Sequence, residues 1–88
     1  MTFRVTVSGA AKRDLDRLNP RVTPAIVEFL FGPLAEAPHR VGKALRGDLE
    51  GLSSARRGEY RVLYRLNEAD QSILVVRISH RSHAYRPR

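Results

Sequence analysis

Cysteine is absent from the 88 residues, which excludes a disulfide framework and a thiolate zinc site together. Long apolar runs are absent too: nothing approaches the ~18 residues that a membrane span needs. The N-terminal stretch Met1-Thr2-Phe3-Arg4-Val5 alternates and lacks the apolar run of a signal peptide. The expectation is therefore a cytoplasmic chain with no membrane partner. The sequence also has no glycine-rich phosphate loop, no nucleophile elbow and no paired-carboxylate signature. Lysine is scarce. Lys12 and Lys43 are the two lysines, and the other 14 of the 16 basic residues are arginines.

What is present is enough for one domain with one modest core, expected to span residues 1–88. Hydrophobic residues make up 42% of the chain, as in globular proteins. So small a core without cross-links points to a protein partner that adds stability. The formal net charge is +7, and it is uneven. Met1 to Pro38 holds 5 basic and 4 acidic residues, whereas His39 to Arg88 holds 11 and 5. A polyanionic partner is implied, and the second half should build the surface that meets it. Arginine suits phosphate because its flat guanidinium donates in pairs and keeps its charge.

Periodicity predicts the element order β-α-α-β-β-β. Phe3, Val5 and Val7 alternate with polar residues as a first strand. Ser8 offers an N-cap to a helix bearing Ala11, Leu15 and Leu18 on one face and ending near Asn19-Pro20. A second helix starts at Pro20 or at Thr23-Pro24, with Val22, Ile26, Phe29, Leu30 and Leu34 as its apolar stripe. Gly32-Pro33 must kink or end it. The short connection predicts a helical hairpin. Ala35 to Gly47 reads as a basic loop and Leu49 to Ser54 as a second strand. Arg57-Gly58 is a turn, and Glu59 to Leu66 a strand with Tyr60, Val62, Tyr64 and Leu66 on one face. Asn67 to Asp70 is a turn. Ser72 to Ser79 is a final strand whose run Ile73-Leu74-Val75-Val76 suggests a central, doubly covered position. The fold class is α+β: one small domain, a helical hairpin on a mostly antiparallel four-stranded sheet.

The chemistry narrows by residue type. His39, His80 and His83 have no carboxylate cluster beside them, so no metal site and no cofactor is expected. Ser53 and Ser54 read as strand or turn serines, and Tyr60 and Tyr64 as core aromatics. The remaining candidates are arginines. Arg61, Arg65, Arg77 and Arg81 share odd parity on two neighbouring strands. They reach one face if the connecting loop is odd in length; a four-residue loop would need a bulge. With Arg46, Arg56 and Arg57 they form the candidate RNA-binding set. Such a cluster can also support RNA cleavage. The 2′-hydroxyl attacks the adjacent phosphate, fixed guanidinium groups stabilise the charge gained in the transition state, and an acid neutralises the leaving 5′-oxygen.

Two segments carry a family likeness: Gly58-Glu59-Tyr60-Arg61-Val62-Leu63-Tyr64, and, after a hydrophobic strand, His80-Arg81-Ser82-His83-Ala84-Tyr85-Arg86. Together they resemble the RelE/ParE superfamily of toxins from toxin–antitoxin modules. Pro38 to Arg46 and Leu49 to Gly58 resemble its RelE branch in particular. The resemblance implies the RelE-like fold and a ribosome-dependent mRNA endonuclease that works without metal. It implies a RelB-like antitoxin as protein partner, with ribosome and mRNA as targets. It also implies that Arg61 stabilises the transition-state phosphate, that Arg81 is general acid or phosphate contact, and that Tyr85 stacks on or orients a base. Where studied members place a lysine pair, this chain has Ser53 and Ser54 with Arg56 and Arg57 just beyond. The general base is thus left among Lys43, His80 and His83. A ParE-type toxin that inhibits DNA gyrase and a non-catalytic RNA-binding module are the alternatives.

Overall fold

The computed structural model describes residues 2–81. Strand β1 (Arg4–Val7) leads into helix α1 (Gly9–Arg17), then helix α2 (Thr23–Phe29), which continues as a π-helical segment over Leu30–Leu34. A short helix α3 (Pro38–Val41), strand β2 (Gly42–Ala44) and a 3-10 turn (Gly47–Leu49) follow. The strands β3 (Ser53–Arg57), β4 (Tyr60–Asn67) and β5 (Ser72–His80) complete one sheet in the order β1-β5-β4-β3-β2. β1 pairs with β5 in parallel and the other three pairings are antiparallel.

Local chemistry accounts for the helix ends. The Ser8 hydroxyl accepts a hydrogen bond from the Ala11 amide at 3.1 Å, the N-cap contact that the sequence implied. The same hydroxyl donates to the Val76 carbonyl at 3.0 Å, fastening the start of α1 to β5. Leu18 is extended, so α1 ends at Arg17, slightly before Asn19-Pro20. Of the two starts open for the second helix, the structure uses Thr23-Pro24, with proline where its missing amide is harmless. Pro33 cannot donate within the helix, and the backbone widens into the π segment around it, so the helix is altered there without stopping.

The core lies between the helices and one sheet face. Ala11, Ile26, Leu30 and Leu34 pack on Val62, Tyr64, Ile73, Val75 and Ile78. Three expectations need correction. Ala35 to Gly47 is no loop: it holds α3 and β2, so the sheet has five strands, not four. β2 was hidden because three residues cannot show a period. The strand expected over Leu49 to Ser54 lies at Ser53–Arg57, since Gly47 and Gly51 adopt positive φ and turn the chain first. β5 is central but covered on one face only: Ile73 and Val75 are buried while Leu74 between them is 39% exposed.

The loop between β4 and β5 is Glu68–Gln71, an even length, and the register contains the bulge that this length required. Leu63 pairs with Arg77 and Tyr64 with Val75, which leaves Val76 as the extra residue. Beyond the bulge, Arg61 therefore lies opposite Ser79, and odd residues of β5 share the outer face with odd residues of β4.

Candidate nucleic-acid interface

Directly opposed residues in a sheet share a face, so the pairings place side chains by row. One outer-face row runs Lys43, Ser54, Leu63, Arg77, and the next runs Arg56, Arg61, Ser79. Across β2, β3 and β4 these rows border a cavity of about 280 Å³ lined by Val41, Lys43, Leu45, Ser54, Ala55, Arg56 and Arg61. The two sequence candidates Lys43 and Arg61 thus meet in one concavity, with Arg56 beside them.

Arg56 and Arg61 are a direct cross-strand pair. Like charges placed opposite each other destabilise a sheet unless something neutralises them. Among the described residues no carboxylate forms an ion pair with Arg56, Arg61 or Lys43. Among the described residues the concavity is therefore lined by cations and no acid, in a shape that admits an anionic group.

The other candidates fall elsewhere. Arg65 is exposed on the outer face, one row beyond the bulge, opposite Leu74. Arg81 follows β5. Its amide donates to the Glu59 carbonyl at 2.7 Å and its Nε lies 3.1 Å from the Glu59 carboxylate, so it is paired. Arg57 occupies the row of Tyr60 and His80, on the opposite face from Arg61. Arg46 is exposed at the entry to the 3-10 turn. His80 packs edge-on to Tyr60, with ring centres 5.2 Å apart, on the face away from the cavity. Of the two candidate bases among the described residues, Lys43 lines the cavity and His80 does not. His83 and Tyr85 lie outside the described residues.

Arg77 departs most from the RNA-binding expectation. Its Nε and Nη2 donate to the Asp14 carboxylate at 2.8 and 3.2 Å, and the Ile78 amide donates to the same group at 2.8 Å. Where β1 has stopped, Asp14 of α1 takes the place of a partner strand along the free edge of β5. Burial would push the Asp14 carboxyl up. The hydrogen bonds from Arg77 and Ile78, with the charges of Arg77 and Arg17, outweigh it and hold the group below its ordinary value. Arg77 thus fastens the helix to the sheet, and parity alone could not show this.

Sequence reasoning missed Asp14, which looked like one more charge on the polar face of α1, and Ser54, which lines the cavity. Tyr64 was expected in the core and is 1% exposed. Tyr60, also expected there, is half-buried at the sheet end. His39 is occupied by Glu68, at 3.2 Å, and lies edge-on to Phe3.

Known proteins share this fold. The profile of the family described as "ParE toxin of type II toxin-antitoxin system, parDE" matches residues 5–85. The chain is 49% identical to Toxin RelE of Mycobacterium tuberculosis over 84 residues, covering 96% of this chain and 87% of that protein. It is 46% identical to Toxin RelG of the same organism over 86 residues, covering 98% and 99%. Its fold is similar to a chain in the crystal structure of the toxin–antitoxin complex RelBE2 from Mycobacterium tuberculosis. The TM-score is 0.89 at 46% identity, over 92% of this chain and all of the other. With these likenesses in place, the chain belongs to the RelE/ParE family of type II toxin–antitoxin toxins.

Proposed function

We propose that this toxin is a ribosome-dependent mRNA endonuclease, and that the cavity between β2, β3 and β4 holds the scissile phosphate. The observation that carries the reading is the cross-strand pair Arg56–Arg61, without an acid partner among the described residues, lining one concave surface with Lys43. Two guanidinium groups aimed at one phosphate stabilise the pentavalent state more than the ground state, because negative charge grows on its oxygens. Lys43 is the group that takes the proton from the 2′-hydroxyl. The 2′-oxygen bonds to phosphorus and the bond to the 5′-oxygen breaks. The products are a 2′,3′-cyclic phosphate and a 5′-hydroxyl; the leaving 5′-oxygen takes its proton from Arg81, which must first part from the exposed Glu59 carboxylate. The charge this reaction needs is supplied by side chains. Arg65 and Arg46 extend the cationic surface along the RNA backbone. A RelB-like antitoxin neutralises the toxin, by analogy with the RelBE2 complex, whose fold this chain shares.

The family profile also carries the ParE name, and ParE-type inhibition of DNA gyrase is the second reading. Induction of the toxin with transcript ends mapped by primer extension separates the two. Ends inside coding regions, produced only where ribosomes are engaged, are expected. Intact transcripts with double-strand DNA breaks would replace this proposal by the gyrase reading.

A further inference from the structure

β2 is a three-residue edge strand, hydrogen-bonded to β3 alone among the described residues, yet it carries Lys43, a candidate base that lines the cavity. Strands this short at an edge fray unless something else holds them. The residue that holds this one comes from β4. The Tyr64 hydroxyl donates to the Pro38 carbonyl at 2.7 Å, in a buried contact spanning 26 positions. Pro38 opens α3, which runs directly into Gly42 and Lys43.

Tyr64 shares the core-face row of Ser53 and Ala44, so its ring passes beneath β3 to reach α3. That path exists because residue 42 has no side chain. A Cβ at Gly42 would overlap the Tyr64 hydroxyl and lie 2.9 Å from the Ser54 carbonyl oxygen. Gly42 is thus required for close approach, and its φ of −131° is open to any residue. Burial pushes the Tyr64 hydroxyl above its ordinary value, so it remains a donor at working pH.

We infer that Tyr64 is a positioning residue for Lys43: its hydroxyl bolts the α3–β2 junction to the strand that bears Arg61, and so fixes the lysine amine relative to the phosphate site. This deepens the endonuclease reading and rests on it. Arg61 and Tyr64 stand on β4, three residues apart, one facing each side of the sheet. Tyr64→Phe deletes only the oxygen, leaving the ring to fill the core, and releases the Pro38 carbonyl.

The test is a double-mutant cycle on single-turnover cleavage of mRNA-programmed ribosomes, comparing wild type, Tyr64→Phe, Lys43→Ala and both changes together. Loss of a fixed attack geometry lowers the rate about ten- to a hundredfold. Tyr64→Phe should lower the cleavage rate by that factor with unchanged affinity for the programmed ribosome, and should cost nothing further once Lys43 is alanine. Equal losses in both backgrounds, or no loss at all, would overturn the proposal. Amide hydrogen exchange at Lys43 and Ser54 gives a readout independent of catalysis. Tyr64→Phe should accelerate it while exchange at Val5 and Ile73 stays slow, and unchanged exchange at Lys43 refutes the bolt. If wild type leaves ribosome-bound mRNA intact, the endonuclease reading fails, and the role of Tyr64 in setting a catalytic lysine falls with it. Faster exchange at Lys43 would then show the bolt alone.

Discussion

At the free edge of β5, Arg77 meets Asp14 in a two-pronged contact, and the Ile78 amide completes the carboxylate's partners. On the neighbouring strands the pattern is reversed: Arg56 faces Arg61, and among the described residues no acid pairs with either. The two regions use one residue type on one sheet for opposite ends. An arginine matched to a buried carboxylate holds helix to strand, and that carboxylate neutralises its charge. Arginines opposed to one another lower the stability of the fold and leave a charge that a phosphate can satisfy. Arginine content alone therefore says little about function; a buried carboxylate partner such as Asp14 marks an arginine that holds the fold.

Breaking each region should have separate effects. The largest is on chemistry: Arg61→Ala should lower the cleavage rate about 10²- to 10³-fold, as removal of one transition-state donor does elsewhere. Its thermal midpoint should stay at or slightly above that of wild type, because a like-charge opposition is relieved. A full loss of activity accompanied by unfolding would place Arg61 with the structural arginines.

Next is the clamp. Asp14→Ala strands the Ile78 amide and removes two charge-assisted hydrogen bonds, so urea unfolding should show a loss of about 2 kcal/mol. Arg77→Ala should cost less, about 1 kcal/mol, because its side chain is 53% exposed and Asp14 keeps the Ile78 amide. Equal losses for the two changes would mean that the ion pair, and not the capped strand edge, is what matters.

The same clamp sets an acid limit. The folded Asp14 carboxyl titrates below its ordinary value of 3.8, so the stability it contributes is complete above that value and is lost as pH falls through the lower, folded one. Wild type should lose stability on acidification below about pH 3.8 more steeply than Asp14→Asn; parallel curves would remove Asp14 as the source.

The smallest effect concerns Arg65, exposed and on the outer face. Arg65→Ala should weaken RNA binding modestly and reduce the salt-dependence slope by about one unit, if it makes a single phosphate contact. An unchanged slope would take it off the RNA path.

Much of this was legible in the residues. Alternation gave β1, β4 and β5, and Ser8 gave the start of α1. The odd parity of Arg61, Arg65, Arg77 and Arg81 left a choice between an odd loop and a bulge, and the structure has the four-residue loop with a bulge at Val76. What stayed hidden depends on contacts across the chain. β2 is too short to carry a period, and its pairing with Ser53, Ser54 and Ala55 exists only in the folded sheet. Asp14 and Arg77 lie 63 positions apart, and no local pattern joins them. That Lys43 shares a cavity with Arg61 follows from its pairing with Ser54, which no local pattern in the sequence displays.

The contrast between the two arginines is most directly tested by measuring mRNA cleavage per folded molecule, on programmed ribosomes, for Arg61→Ala and Arg77→Ala side by side. The folded fraction of each sample is set by its own unfolding curve. Arg77→Ala should cut at close to the wild-type rate once corrected for unfolded protein, while Arg61→Ala should be folded and nearly inert. Equal corrected rates for the two variants would contradict the account.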